Sequence, residues 1–464
     1  MEKVFQEAIG SFESGKFNTA LRKFKEVLKH DPYNRDAHYY MCMIYHRLKK
    51  WSNCKNCAQS FVKRFGRDSD ILEMLGDVYF FEGDYRRAIK IYKVALSSSN
   101  FEIRKRLNEK IQKTSEIKDE KKSQPKLAVV ISEGGDNFTD DLIENLSKQF
   151  WVRKFIVPST TRGLLHIIVT AKRKKALNEK LYKLALKSVG HRIRKVISWA
   201  DATWCEWADP ISVVASHIKP KDKKLFIRLH RYEAFTDMPF MINWSNVDGL
   251  IFVSGFMKNI LEKRGLDMNK VNWEVVYNGV DPERFTFKKR TKGYNIAWVA
   301  YIIPRKNLYM ALEIMKKLVT IDPSYKLHVA GDFKDPEYET FIKHAVQIMD
   351  LDQNVVFHGW IDDVNQFLED KNYLLSTSSH ESFGYNIAEA MTRGIKPIIY
   401  NFYDASELFP KELLFNNIEE AVEKFLSDDY DSERYRKHIY QKGWTVENQA
   451  KAFEKLVLSL LNKT

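Results

Sequence analysis

From Lys126 onward the chain alternates short runs rich in β-branched and aromatic residues with segments of helix length, and few folds accept that alternation. The first series reads "LAVVIS", "VRKFIVP", "ATWCEW", "LFIRLH", "LIFVS" and "WEVVYNG"; the second, from Asn295, reads "NIAWVAY", "YKLHVAG", "NVVFHGW", "YLLSTSS" and "KPIIY". Strands joined by helical crossovers lie parallel, so each series predicts one α/β domain of Rossmann-like character. Two such domains in tandem bind ligands most naturally where the carboxyl ends of their strands face each other across a cleft, which directs attention to the loops that follow strands.

The first part of the chain has a different period. Gly15-Lys16-Phe17 with Ala20, Phe24, Val27 and Pro32 is matched 68 residues later by Gly83-Asp84-Tyr85 with Ala88, Tyr92 and Ala95, and Trp51, Cys54, Ala58 and Phe61 lie midway. This period of 34, with small residues where helices touch and aromatics where they wedge apart, resembles tetratricopeptide repeats. The third copy, with Leu72, Leu75, Gly76 and Tyr79 in register, is nearest that consensus, and "FEIRKRLNEKIQKTSEI" caps the stack. Cys54 and Cys57 have redox or zinc-ligand spacing, but no second pair accompanies them, and Cys42 and Cys54 fall where the repeat needs small residues; they read as packing cysteines. The expected organisation is an all-α array over 1–117, a linker over 118–126, Rossmann-like domains over 127–286 and 287–443, and a terminal helix over 444–464 that crosses back to the first of them.

Charge narrows the partners. The net charge is +14, and ten Lys or Arg against the single acid Glu179 concentrate it between Ala171 and Lys195. Leu177, Leu181, Leu184 and Ala185 recur there at helical spacing, which predicts a helix with a buried apolar side and a basic rim. A solvated face on a core helix is the plain reading, and contact with anionic lipid the functional one; no groove-reading motif supports nucleic acid. The start of the chain lacks a signal-peptide pattern and no run of about 18 apolar residues occurs, so a cytoplasmic protein, peripheral at the inner face of the membrane if that patch binds lipid, is expected.

The stretch "HESFGYNIAEAM" places Glu381 just after a strand and Glu389 on the following helix, with Ser382-Phe383-Gly384 as the turn between them. Two separated carboxylates can bind hydroxyls at two places on one ligand, and the free N–H groups of a helix start can hold an anion between them. Sugar hydroxyls, a diphosphate and ribose hydroxyls have that layout in a nucleotide sugar.

At this point the sequence resembles the retaining GT-B glycosyltransferases of family four, whose E-x7-E region has the form E-G-F-G-x-x-x-x-E-A-M-A-x-G-x-P-V-I. Further blocks follow the family's order: "VVYNGVDPERF", "AYIIPRKN", "LHVAGD" and "VVFHGWIDD". The resemblance implies the GT-B architecture of two Rossmann-like domains facing a cleft. It implies that Glu381 holds the transferred sugar, that Glu389 holds the ribose, and that amides around Phe383, Gly384 and Tyr385 meet the diphosphate. Lys306 matches the phosphate-binding lysine, but Tyr301 stands where the family has arginine, which leaves Arg305 to supply the charge. His230 matches the family's active-site histidine, Gly134 and Gly135 its glycine-rich loop, and Trp360 lies in the loop that selects the base. Asp201 and Glu206, flanking "ATWCEW", are candidates for the acceptor side.

The expected activity is retaining transfer of a hexose or related sugar from a nucleotide-sugar donor, with no metal and no other cofactor. No D-x-D sequence falls at a strand end, since Asp429-Tyr430-Asp431 lies in a helical connector. The repeats are expected to recruit a protein or other macromolecular acceptor, with homodimerisation as the alternative. The rival reading of the whole is an interaction scaffold carrying a degenerate transferase domain.

Overall fold

The computed structural model describes residues 2–97, 101–135, 139–361 and 363–462; Asp136–Phe138 of the glycine-rich stretch and Asp362 of "VVFHGWIDD" lie outside them. Among the described residues, seven helices come first: α1 (Glu2–Glu13), α2 (Phe17–His30), α3 (Arg35–Arg47), α4 (Trp51–Phe65), α5 (Ser69–Phe81), α6 (Tyr85–Leu96) and α7 (Phe101–Lys121). The even members begin at Phe17, Trp51 and Tyr85, the spacing read from the sequence. Their contacts explain the residue choice. Ala8, Ala20, Ala37, Ala58, Ala88 and Ala95 are fully buried where helices touch, and a Cβ on Gly76 would lie 2.2 Å from the Tyr92 ring. Cys42 and Cys54 are fully buried in the same layer, as packing residues require.

Among the described residues, twelve strands follow in two parallel six-stranded sheets. The first holds β1 (Lys126–Ser132), β2 (Trp151–Val157), β3 (Ala202–Cys205), β4 (Lys224–Leu229), β5 (Gly249–Phe252) and β6 (Trp273–Val275), in the order β2-β1-β3-β4-β5-β6. The second holds β7 (Asn295–Val299), β8 (Lys326–Ala330), β9 (Val355–Gly359), β10 (Tyr373–Ser376), β11 (Lys396–Tyr400) and β12 (Leu414–Phe415), in the order β12-β11-β10-β7-β8-β9. The two-residue β12 at its edge is the one strand without a sequence expectation.

Compactness divides the chain into residues 1–227, 241–248 and 460–464 on one side and residues 228–240 and 249–459 on the other. This differs from a division at 286, and side chains explain the difference. Glu407 accepts the Gly255 and Phe256 N–H groups at 2.6 and 2.8 Å and the Tyr277 hydroxyl at 2.9 Å, tying the loops after β5 and β6 to the second sheet. The terminal helix Val446–Leu461 sends Gln449 to the Gly279 N–H at 3.0 Å, and Thr445 bridges to Val280.

Within the first unit the array is built onto the sheet. Strand β2 is an edge strand, and the turn between α5 and α6 covers it: Lys154 N–H donates to Glu82 C=O at 2.9 Å, Trp151 Nε1 donates to Gly83 C=O at 3.1 Å, and Arg153 pairs with Asp84. Gly83 has φ +72°, and a Cβ there would lie 2.0 Å from Val152 O, so only glycine fits. Helix α7 runs to Lys121, through the first residues of the segment expected to be a linker, and Lys121 Nζ donates to Ser147 C=O. The charged stretch "KDEKKSQPK" reads as a linker, but its Lys121 is recruited as a bond donor.

The basic segment also departs from expectation. Helices Ser159–Arg173 and Glu179–Val189 form a hairpin whose buried side chains are Leu165, Ile168, Val169, Tyr182 and Leu186. Leu181 and Leu184, expected inside, are 50% and 64% exposed. Tyr182 packs edge-on against His217 with ring centroids 5.7 Å apart, and this contact turns the helix by about one residue from the face that spacing selected.

Candidate active site

In the second unit the parallel strands deliver their following loops to one edge of the sheet. After β7, Pro304–Lys306 forms a 3-10 turn, and Asn307 at φ +50° caps the helix Leu308–Ile321 by accepting the Met310 N–H. The loop after β10 grips that turn: Thr377 Oγ1 donates to Lys306 C=O at 2.9 Å, Ser379 N–H to Arg305 C=O at 3.0 Å, and Arg305 Nη1 to His380 C=O at 2.8 Å. The grip aims Lys306 at Glu381, with which it forms an ion pair between two largely buried side chains. Burial pushes the Glu381 carboxyl up, but Lys306, a Ser378 hydrogen bond and the Arg305 charge outweigh it and hold the group below the usual carboxylate range.

Glu389 has the opposite environment. It lies on the helix Tyr385–Thr392, half-buried and without a hydrogen-bonded partner among the described residues. Burial pushes its carboxyl up to about 8, with the charge of Arg284 opposing. The helix starts at Gly384, φ +83°, which has no side chain to cap the first amides. Phe383 is buried against Trp444 with ring centroids 4.9 Å apart, so its ring anchors the turn and only its backbone can serve a ligand.

Tyr301, in the place of the family's arginine, stacks on Trp360 with centroids 5.1 Å apart, and Lys334 Nζ stands 4.4 Å from its ring. It extends the aromatic surface of the Trp360 loop and brings no charge to Glu381. A cation that sequence reasoning missed does: Arg231, directly after His230 and half-buried, feels Arg305 as a repelling charge and Glu381 and Glu233 as attracting ones. Its segment packs on the same loop, since the Phe235 ring lies 5.3 Å from that of His380. Its position one residue after the strand-end histidine is visible in the sequence, but nothing local marks it as facing Glu381. His230 itself is buried at the carboxyl end of β4. Arg231, Arg305 and Lys306 therefore give three cations around one carboxylate.

The remaining candidates belong to the first unit. Gly134 has φ +79°, which favours glycine, and a Cβ on Gly135 would meet Trp207 Nε1 at 2.6 Å, so the first glycine of the loop after β1 answers to conformation and the second to space. Glu206 lies buried at the carboxyl end of β3. Asp201 precedes β3 and accepts the Lys126 N–H at 2.9 Å, at the amino end of the sheet and away from the end where Glu206 lies. Asp429 pairs with Arg434, and Asp431 caps the helix Ser432–Gln441. A cavity of about 670 Å³ opens between the array and β2, lined by Lys55 and Arg87 from the array and by Glu133, Arg153, Arg192 and Lys195. Glu133 follows β1 and accepts from Asn56 of the array at 2.6 Å, which places this cavity beside the carboxyl end of the first sheet.

Two parallel six-stranded sheets in tandem match the GT-B fold of two Rossmann-like domains. Residues 280–445, which carry Lys306, Glu381 and Glu389, match the model of the family glycosyl transferases group 1. Over 128 residues the chain is 27% identical to the GDP-mannose:cellobiosyl-diphosphopolyprenol alpha-mannosyltransferase of Xanthomonas campestris; the match takes in 27% of this chain and spans 33% of that curated relative. Among solved structures, Anabaena HepE in complex with UDP and glucose superposes with a TM-score of 0.57 at 14% identity, over 72% of this chain and 100% of its own. TarM of S. aureus gives 0.50 at 18% identity, over 60% and 59%.

Proposed function

We propose that the protein is a retaining glycosyltransferase that moves a sugar from a nucleotide-diphosphate donor to an acceptor without a metal ion. The observation that carries this reading is the pairing of Glu381 with Lys306 beside Arg231 and Arg305, with the unpartnered Glu389 on the next helix. In the reaction the bond from the anomeric carbon to the diphosphate oxygen breaks, the acceptor oxygen bonds to that carbon from the same face, and the acceptor proton passes to the departing diphosphate. The three cations and the uncapped helix start stabilise the charge that develops on the diphosphate. Glu381 orients the sugar, and Lys306 bridges it to the phosphate. Glu389 accepts from the ribose, and the Tyr301–Trp360 pair offers an apolar platform at the base end. UDP-glucose in another structure of HepE illustrates such a donor on a similar fold.

The helical array, with its period of 34, is of the tetratricopeptide type in this reading, and it presents a macromolecular acceptor by way of the cavity it shares with β2. The competing scaffold reading has Tyr301 in its favour, but Arg231 and Arg305 restore the charge that the tyrosine lacks. The test is release of nucleotide from a panel of UDP, GDP and ADP sugars. One donor is expected to be hydrolysed slowly, unaffected by EDTA, and slowed at least ~10-fold by Arg231→Ala or Lys306→Ala. A scaffold would release none and would show no thermal shift with any nucleotide diphosphate. Loss of activity in EDTA, restored by Mn²⁺ or Mg²⁺, would refute the metal-free step.

A further inference from the structure

The hairpin Ser159–Arg173 and Glu179–Val189 has more aliphatic surface than its core uses. Its inner face is satisfied by Leu165, Ile168, Val169, Tyr182 and Leu186, yet Leu164, Ile167, Leu181 and Leu184 are 46%, 64%, 50% and 64% exposed. They come in two pairs at i,i+3, one on each helix, so each helix presents a short apolar ridge on its exposed side. Scattered exposed aliphatic residues need no explanation, but four on one hairpin do.

Their surroundings say what would cover them. Glu179 is spent on Lys172 at 2.6 Å and Lys183 at 3.5 Å. Lys174, Lys175, Lys180 and Lys187 are exposed and have no acidic partner among the described residues. Aliphatic ridges set among unpaired lysines match the boundary between anionic headgroups and acyl chains, where apolar side chains enter the acyl layer and lysines remain at the phosphates. Nucleic acid would satisfy the lysines but leave the aliphatics in water. Among the described residues no helix is long and apolar enough to cross a membrane, so contact at this hairpin would be peripheral. We infer that the hairpin is a docking face for an anionic lipid surface, through Leu164, Ile167, Leu181 and Leu184 together with Lys174, Lys175, Lys180 and Lys187. The inference stands whatever reaction the second unit performs.

The test is sedimentation of the full chain with phosphatidylcholine vesicles, with and without phosphatidylglycerol. Binding is expected only when phosphatidylglycerol is present, and to weaken with salt. L164S/I167S/L181S/L184S keeps every charge and removes side chains that are already exposed, so its melting temperature and cation-exchange retention should match those of the wild type while vesicle binding falls at least ~10-fold. Replacing the four lysines by glutamine should cause a similar loss. Failure to bind anionic vesicles would overturn the inference. So would unchanged binding by the aliphatic variant, which would mean charge alone, or binding of polyglutamate but of neither vesicle, which would give the face to an acidic protein.

Discussion

Glu389 can be tested through pH. Burial raises its carboxyl from an ordinary 4.5 to about 8, so between those values the folded protein holds a proton that the unfolded chain releases. Stability attributable to this group is therefore undiminished below about pH 4.5 and is lost as pH rises through 8. The full shift corresponds to about 5 kcal/mol at about 1.4 kcal/mol per unit, and the residual solvent contact of a half-buried side chain reduces this to about 2–4 kcal/mol. Glu389→Gln keeps the shape and cannot ionise. The variant and the wild type should unfold at similar urea concentrations near pH 5, and the variant should be more stable by about 2–4 kcal/mol at pH 9. The same proton reports on function. Ribose hydroxyls donate best to the ionised carboxylate, so binding of a nucleotide diphosphate at pH 7 should release a proton, seen in calorimetry as an enthalpy that changes with the buffer, and the variant should lose that dependence. A stability difference that stays constant from pH 5 to 9, or one that favours the wild type as pH rises, would refute the assignment of a raised Glu389.

Two further perturbations follow from buried contacts. Lys306→Ala leaves the Glu381 carboxyl buried without its main partner and should cost about 3–5 kcal/mol in urea unfolding at pH 7, most of it recovered in the double variant Lys306→Met/Glu381→Gln. Gly83→Val places a β-branched residue at φ +72° and a Cβ against Val152 O; it should destabilise the first unit by about 3 kcal/mol or more and let a protease cut between α7 and β1.

The sheets were legible because buried parallel strands write themselves as apolar runs, and eleven of the twelve strands follow from such runs. Repeats are legible for a related reason: one packing problem is solved three times, so the small residues Ala20, Cys54 and Ala88 recur in register. Glu381 and Glu389 could be singled out because their spacing is fixed by one strand, one turn and one helix, whereas Lys306 was reached only through the resemblance of "AYIIPRKN". Arg231 was missed because its relation to Arg305 and Glu381 spans some 75 to 150 residues, and nothing local marks an arginine after a histidine as facing a carboxylate. Asp201 was misplaced for the opposite reason: sequence proximity to β3 does not tell one end of a strand from the other. For Leu181 and Leu184, helical spacing identified a periodic apolar set, but the neighbouring Tyr182–His217 contact decided which side of the helix turned inward.

The turn at Gly83 also bears on how the chain is made. An uncovered parallel edge is a template for pairing with other chains, and β2 has such an edge until Glu82 and Gly83 meet it. Residues 82–84 leave the ribosome well before residues 151–154, at about 5–20 residues per second, so helices whose contacts are all local have seconds in which to form. The cover thus exists before the edge that needs it. Order along the chain, with the array first and β2 after it, makes the earliest-folding part the chaperone of the sheet it later becomes part of.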